Sequence, residues 1–177
     1  EKAITKKTKA IMPVHLHGLM CDMKKIKSLA NKYNLKIIED ASQAHGSEYN
    51  KFKPGYYSDV ATFSFYPTKN LGAVGEGGAI LTNNKKISNQ VYALRAWAPA
   101  KKNFFAVGFN YRMPEIIGAS LLEKIKFLKE EINKRIKISS IYKKNLLSKN
   151  YSNFNQNLKR HSYHIFAIRV KNRKKFM

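Results

Sequence analysis

Acidic side chains and cysteine are what this sequence has least of. Eleven Asp and Glu stand against 34 Lys and Arg in 177 residues, a formal charge of +23. Cys21 is the single cysteine, so no disulfide forms within the chain, and a reducing, cytoplasmic setting fits. No stretch approaches the ~18 consecutive apolar residues of a membrane span. The opening EKAITKKTKA also lacks the apolar centre of a signal peptide, so the chain reads as soluble with no membrane partner. The glycines at 72, 75, 77 and 78 form neither GxGxxG nor a Walker loop, which disfavours a Rossmann dinucleotide site and a nucleotide triphosphatase.

What is present points to a packed protein. A hydrophobic content of 44% with 12% aromatics supports one main domain with part of a second. The charge invites a nucleic-acid reading, and much of it sits in residues 123–177, which hold 16 Lys and Arg against 3 Glu. There it is mixed with Asn and Ile and lacks the aromatic and glycine interleaving of nucleic-acid modules. A lysine-rich solvated surface is the better account, and no nucleic-acid partner is expected.

Along the chain, AIMPVHLHG (10–18) is a short apolar run ending at glycine. CDMKKIKSLANKYNL (21–35) follows with Met23, Ile26, Leu29, Ala30 and Tyr33 at helical spacing and Asp22 as N-cap. KIIED (36–40) is a buried-type strand, completing a β-α-β pattern whose parallel strands place functional groups at their C-terminal ends. DVATFSF (59–65) and GGAILTN (77–83) read as strands, 85–97 as a helix and 99–114 as a loop. One long helix is expected over about 115–142, with Leu121, Ile125, Leu128, Ile132 and Ile136 as a core-packing stripe. SYHIFAIRV (162–170) alternates as a strand. A lone strand at a chain end leaves its edges unpaired, so the sequence reads as truncated there, as its start at Glu1 suggests for the other end.

Several polar groups gather at strand ends. Glu39 and Asp40 close an apolar strand, and ASQAHG places Gln43 and His45 just beyond it, where α/β folds bind ligands. As plain structure, Asp40 is a turn residue. Ser64 lies five residues before Lys69; a buried serine bonds a backbone carbonyl more often than a ligand, but near a lysine and a glycine-rich turn it can bind phosphate. His15 and His17 alternate on a strand and so face one side, but a zinc site needs three or four protein ligands and no third is evident; no metal is expected. A lysine near an acid and a phosphate-binding hydroxyl suggests a Schiff base with a phosphorylated aldehyde cofactor.

PVHLHG, KIIEDASQAHG, DVATFSFYPTKNLGAVGEGGAILTN and GFNYRMPE resemble, in order and spacing, the DegT/DnrJ/EryC1/StrS aminotransferases, from roughly Ile11 to Val170. The resemblance implies an α/β fold of the type I, aspartate aminotransferase-like pyridoxal-phosphate enzymes, with a partial mixed sheet flanked by helices and truncated at both ends. Residues 1–114 would be the C-terminal half of the large cofactor-binding domain, 115–150 a long linking helix and 151–177 the start of a small domain. It further implies a transaminase that moves an amino group from glutamate to a nucleotide-linked keto sugar in amino-sugar and cell-surface polysaccharide biosynthesis. Lys69 would bond pyridoxal 5'-phosphate, Asp40 would keep the pyridine nitrogen protonated, Gln43 would sit by the ring and phenolic oxygen, and Ser64 would bind the phosphate. Asn110 matches a residue reaching the cofactor phosphate of a neighbouring subunit, which implies a homodimer with shared active sites. His45, Tyr66 and Arg112 lie near these motifs as substrate candidates, Arg112 being equally open to a structural role. The family's phosphate-binding turn and stacking aromatic have no counterpart after Glu1, RAWAPAKKNFF replaces the commoner glycine-bearing loop, and Ile117 stands where many members are polar. Two alternatives remain: a dehydratase-like relative, a group that usually lacks the lysine, and a catalytically incomplete basic binding protein.

Overall fold

The computed structural model describes residues 1–97, 107–146, 159–170 and 172–176. Strands β1 (Ala10–Ile11), β2 (Lys36–Asp40), β4 (Val60–Ser64) and β5 (Gly78–Leu81) form a sheet in the order β1-β2-β4-β5. β1, β2 and β4 run parallel, and β5 returns antiparallel to β4 with Ser64 opposite Gly78. The sheet is therefore mixed, and the connection 65–77 is a hairpin loop at the C-terminal end of β4. This loop carries Lys69.

Helix α1 (Met23–Lys32) starts where expected, with the Asp22 carboxylate accepting from the Lys25 N–H at 3.3 Å. The Tyr49 hydroxyl donates to the same oxygen at 2.6 Å and holds the cap in place. Met20, Met23, Ala30, Ile37 and Tyr49 are the buried core between helix and sheet. Along β2 the burial alternates, Ile37 and Glu39 being buried while Ile38 and Asp40 are half-buried, the two-residue period of a strand. Helix α2 (Lys85–Leu94) is capped by Asn84, whose side-chain oxygen accepts from the N–H groups of Lys86 and Ile87.

Three expectations are corrected. The run 10–18 is a strand only at β1, with an isolated bridge from Val14 to Asp40, because Pro13 has no N–H for a ladder and the chain turns at Leu16–Gly18 with His17 at φ 61°. The long helix is two: α3 (Glu115–Ile125) ends where the Lys126 and Phe127 N–H groups bond three residues back, and α4 (Leu128–Leu146) follows. The break re-aims the stripe, so Leu121 packs with Leu71 and Ala73, Ile132 is buried in α4, and Ile125 is left exposed. Finally, 162–170 is not a strand. The chain forms β6 (Lys159–Arg160) just before it, antiparallel to β3 (Glu48–Tyr49), and a short helix α5 (Arg173–Phe176) follows.

The tail from Ser162 is instead tied inward. The Ser162 N–H donates to the Gly18 carbonyl at 3.0 Å, Asn70 Nδ2 donates to the Ser162 carbonyl at 2.9 Å, and the Ser47 hydroxyl bonds Gly18 O at 2.7 Å and Ser162 Oγ at 2.8 Å. These bonds use the backbone groups a strand would offer to a ladder, and Tyr163 at φ 47° turns the chain away.

Candidate active site

The parallel pairing of β2 with β4 sets Asp40 opposite Thr62, so the ends of both strands open to one side, with Gln43 and His45 following one and Ser64 closing the other. The loop beyond Ser64 folds back on itself. The Lys69 N–H donates to the Tyr66 carbonyl at 2.9 Å, the Ala73 N–H to Phe65 at 2.8 Å, and the Phe65 N–H to Gly77 at 2.7 Å. Lys124 Nζ donates to the Gly72 carbonyl and holds this loop to α3. Lys69 is half-buried at its apex.

Gly72 is where the loop is tightest, since a Cβ there would overlap the Pro67 carbonyl oxygen, a backbone atom that cannot swing aside. Gly72→Ala is therefore expected to lower the stability of the chain by about 1–3 kcal/mol and to displace Lys69. Urea unfolding measures the first, and an unchanged midpoint would show that the turn relaxes freely.

Three of the expected side chains share one arrangement: one polar atom is committed to the fold and the other is left for a ligand. Asp40 Oδ1 accepts from the Ser42 N–H at 3.0 Å, leaving Oδ2. Gln43 Oε1 accepts from the His17 N–H at 2.6 Å, which fixes the amide so that its NH2 is the outward donor. Ser64 Oγ accepts from the Tyr66 N–H at 3.2 Å, so its own proton remains to be given.

Around Lys69 lies a group of imidazoles. His45, 4% exposed, stacks at a tilt on Phe63 and Phe65, with centroids 5.2 and 5.9 Å away. Neither of its ring nitrogens has a hydrogen-bond partner among the described residues, and Nδ1 of His17, Nδ1 of His164 and Oδ1 of Asn70 are likewise buried without one. Burial, then the charges of His164 and Lys69, push the His45 pKa down to about 4. Burial, then Lys69, Arg135 and His17, push His164 down in the same direction.

Asn110 and Arg112 are exposed, and their contacts are with the chain just past α2 and with each other. Asn110 bridges Ala96, its side-chain oxygen accepts from Arg112 Nε at 3.3 Å, and the guanidinium lies over the Trp97 ring at 4.6 Å. Tyr66 is 45% exposed on the Lys69 loop. The RAWAPAKKNFF loop lies mostly outside the described residues.

Sequence reading missed His164, Ser162 and Asn70. Only Asn70, beside Lys69 in a tight turn, carried a signal that it had a local partner to find. His15 and His17 do not face one side: His15 is fully buried against Glu39, whereas His17 takes a left-handed conformation and gives its backbone N–H to Gln43. Among the described residues no group of three His, Cys, Asp or Glu is placed to hold a metal ion.

This donor set fits pyridoxal phosphate. It offers an amine on a loop, a free carboxylate oxygen, an amide N–H and a hydroxyl proton for anionic oxygens, and unpaired imidazole nitrogens beside them.

Comparison with known proteins agrees. A sequence model of the DegT/DnrJ/EryC1/StrS aminotransferase family matches residues 1–177. The chain is 44% identical over 181 residues to a dTDP-3-amino-3,6-dideoxy-alpha-D-galactopyranose transaminase of Aneurinibacillus thermoaerophilus, covering 99% of this chain and 49% of that protein. Among solved structures it resembles S. venezuelae DesV in complex with a ketimine intermediate, with a TM-score of 0.93, 34% identity, 98% of this chain and 48% of that one. NtdA of Bacillus subtilis with bound cofactor PMP aligns at a TM-score of 0.87 and 34% identity, covering 96% of this chain and 40% of that one. The chain thus spans less than half the length of each of these three proteins.

Proposed function

The chain belongs to the DegT/DnrJ/EryC1/StrS aminotransferase family and has its α/β fold, and from that premise we propose that it supplies the catalytic lysine of a pyridoxal-phosphate-dependent transaminase. Its substrates are a nucleotide-linked keto sugar and glutamate as amino donor. The observation that carries this reading is the set of half-committed side chains, Asp40, Gln43 and Ser64, around the Lys69 loop. The dTDP-sugar transaminase at 44% identity supports the substrate class.

Pyridoxal phosphate, when bound, supplies an electron sink that lets a carbon-bound proton leave. Asp40 would hold its ring nitrogen, Gln43 its phenolic oxygen and Ser64 its phosphate. Lys69 would hold it through its amine and would serve as the base and then the acid for that proton. Asn110, being exposed, is suited to reach the phosphate of a neighbouring subunit in a homodimer. Tyr66 stands at the rim where a substrate enters, Arg112 beside Asn110 is available to a substrate carboxylate, and His45 forms the wall behind Lys69.

Residues 1–114 belong in this reading to the cofactor-binding domain and 151–177 to the small domain, with α3 and α4 between them. A cytoplasmic site of action suits a sugar-nucleotide enzyme, and no helix among the described residues is long and apolar enough to cross a membrane. The test is the complete protein incubated with pyridoxal phosphate, then assayed for glutamate-dependent amination across a panel of keto-sugar nucleotides. Cofactor uptake and amination of at least one sugar are expected. A protein that takes up no cofactor is instead a basic binding protein on this fold.

A further inference from the structure

The second acid at the end of β2 is used differently from Asp40. Glu39 shares the strand face of Ile37, and both it and His15 are 0% exposed. Its Oε2 lies 2.6 Å from His15 Nε2, and its Oε1 accepts from the Gly55 N–H at 3.0 Å. The Cys21 N–H donates to His15 Nδ1 at 3.2 Å, so the ring proton sits on Nε2 and points at the carboxylate. A buried carboxylate left without such partners would be costly, and here both oxygens are engaged.

The segment that carries His15 also brackets Asp40 through the backbone. The His15 N–H donates to the Asp40 carbonyl at 3.0 Å, and the Asp40 N–H donates to the Pro13 carbonyl at 2.9 Å. His15 thus grips the end of β2 twice, by its ring through Glu39 and by its main chain at Asp40. Since successive side chains leave a strand on opposite faces, the pair holds the strand on the side away from the Asp40 carboxylate. β1 itself is only two residues long, so this tie replaces the ladder that a longer strand would have supplied.

We propose that Glu39 and His15 are a positioning pair that fixes the backbone of Asp40 and, with it, the carboxylate oxygen presented to the cofactor nitrogen. The proposal rests on the assignment of Asp40 made under Proposed function. Charge and hydrogen-bond direction both matter in it. A glutamine at 39 must turn its NH2 toward either the Gly55 N–H or the His15 Nε2–H, donor against donor. Moving the imidazole proton to Nδ1 only transfers the conflict to the Cys21 N–H.

The complete protein and its Glu39→Gln variant are compared by titrating pyridoxal phosphate and by following the visible absorbance of the bound cofactor against pH. The variant is expected to bind about tenfold more weakly or worse, with the pH midpoint of its absorbance displaced from wild type. A purely structural role would lower thermal stability and leave that midpoint in place, so an unmoved midpoint overturns the pair. Should the variant fail to fold, the wild-type protein labelled with 15N-histidine gives the answer. The His15 Nε2–H resonance is expected to move when pyridoxal phosphate is added, and an unchanged resonance overturns the proposal. A wild-type protein that takes up no pyridoxal phosphate overturns the Asp40 assignment together with the pair, whereas uptake with an unmoved midpoint in the variant sinks the pair alone.

Discussion

Alanine in place of Lys69 is expected to lower glutamate-dependent amination by the complete protein at least about 10³-fold, because one amine serves as both nucleophile and proton carrier. Among the described residues Lys124 also contacts this loop, but its ammonium is bound to the Gly72 carbonyl and holds the loop to α3. Visible absorbance from bound cofactor should disappear and pyridoxal phosphate should dialyse away. Lys69→Arg keeps a charge without a usable nucleophile and should be as inactive, which separates covalent chemistry from electrostatics. The substitution by alanine also removes a positive charge that helps to hold His45 and His164 neutral, so both imidazoles should titrate at higher pH in the variant. Histidine NMR reads this independently of turnover. A Lys69→Ala protein that retains more than about a tenth of wild-type activity would place the chemistry elsewhere.

How much of this was legible beforehand depended on whether a contact is local in sequence. The α1 helix with its Asp22 cap, the KIIED strand and the order of β4, loop and β5 follow from periodicity and capping, and they stand in the structure. The placement of Asp40, Gln43 and Ser64 at strand ends followed from the β-α-β pattern, though the committed atom on each could not be read: the donor to Gln43 is the N–H of His17, far away in sequence, and the donors to Asp40 and Ser64 are N–H groups two residues on, set by turns that the strand pattern does not specify. Alternation in SYHIFAIRV misled for a related reason. Its pattern fits a strand, but Gly18, Ser47 and Asn70, far away in sequence, capture Ser162 first. The apolar stripe of 115–142 continues through Lys126 and Phe127 without interruption, so nothing local announces the break between α3 and α4; packing of Leu121 and Ile132 in different places decides it. Glu39 and Asp40 were read as one carboxylate pair. The strand's two-residue period separates them, giving one to His15 and leaving the other at the site.

Acid should unfold this chain in a pH range where most of its carboxylates are still ionised, and the imidazoles explain why. The ordinary histidine pKa of about 6.5 holds in the unfolded chain, whereas His45 and His161 are pushed down to about 4 in the fold. Burial is the largest cause for both, joined by His164 and Lys69 for His45 and by Lys143 and His17 for His161. With the folded value below the unfolded one, the unfolded chain binds more protons as pH falls. Stability is therefore fully present above about pH 6.5 and is lost progressively toward pH 4. Between pH 7 and 4.5 the contribution of His45 alone amounts to about 2 kcal/mol, a large share of the ~5–15 kcal/mol that holds a domain together. His164 acts in the same direction. Urea unfolding of the cofactor-free protein at the two pH values measures the loss. His45→Phe isolates its origin, since a phenyl ring can occupy the space between Phe63 and Phe65 without a titrating nitrogen and without the two unpaired ones. That variant should lose about 2 kcal/mol less than wild type over the same interval. An identical pH slope in both proteins would mean that His45 finds a partner for its proton in the fold. The orphaned nitrogens and the neighbouring charges of His164 and Lys69 argue against such a partner, because burial without an acceptor and like charge both penalise the imidazolium.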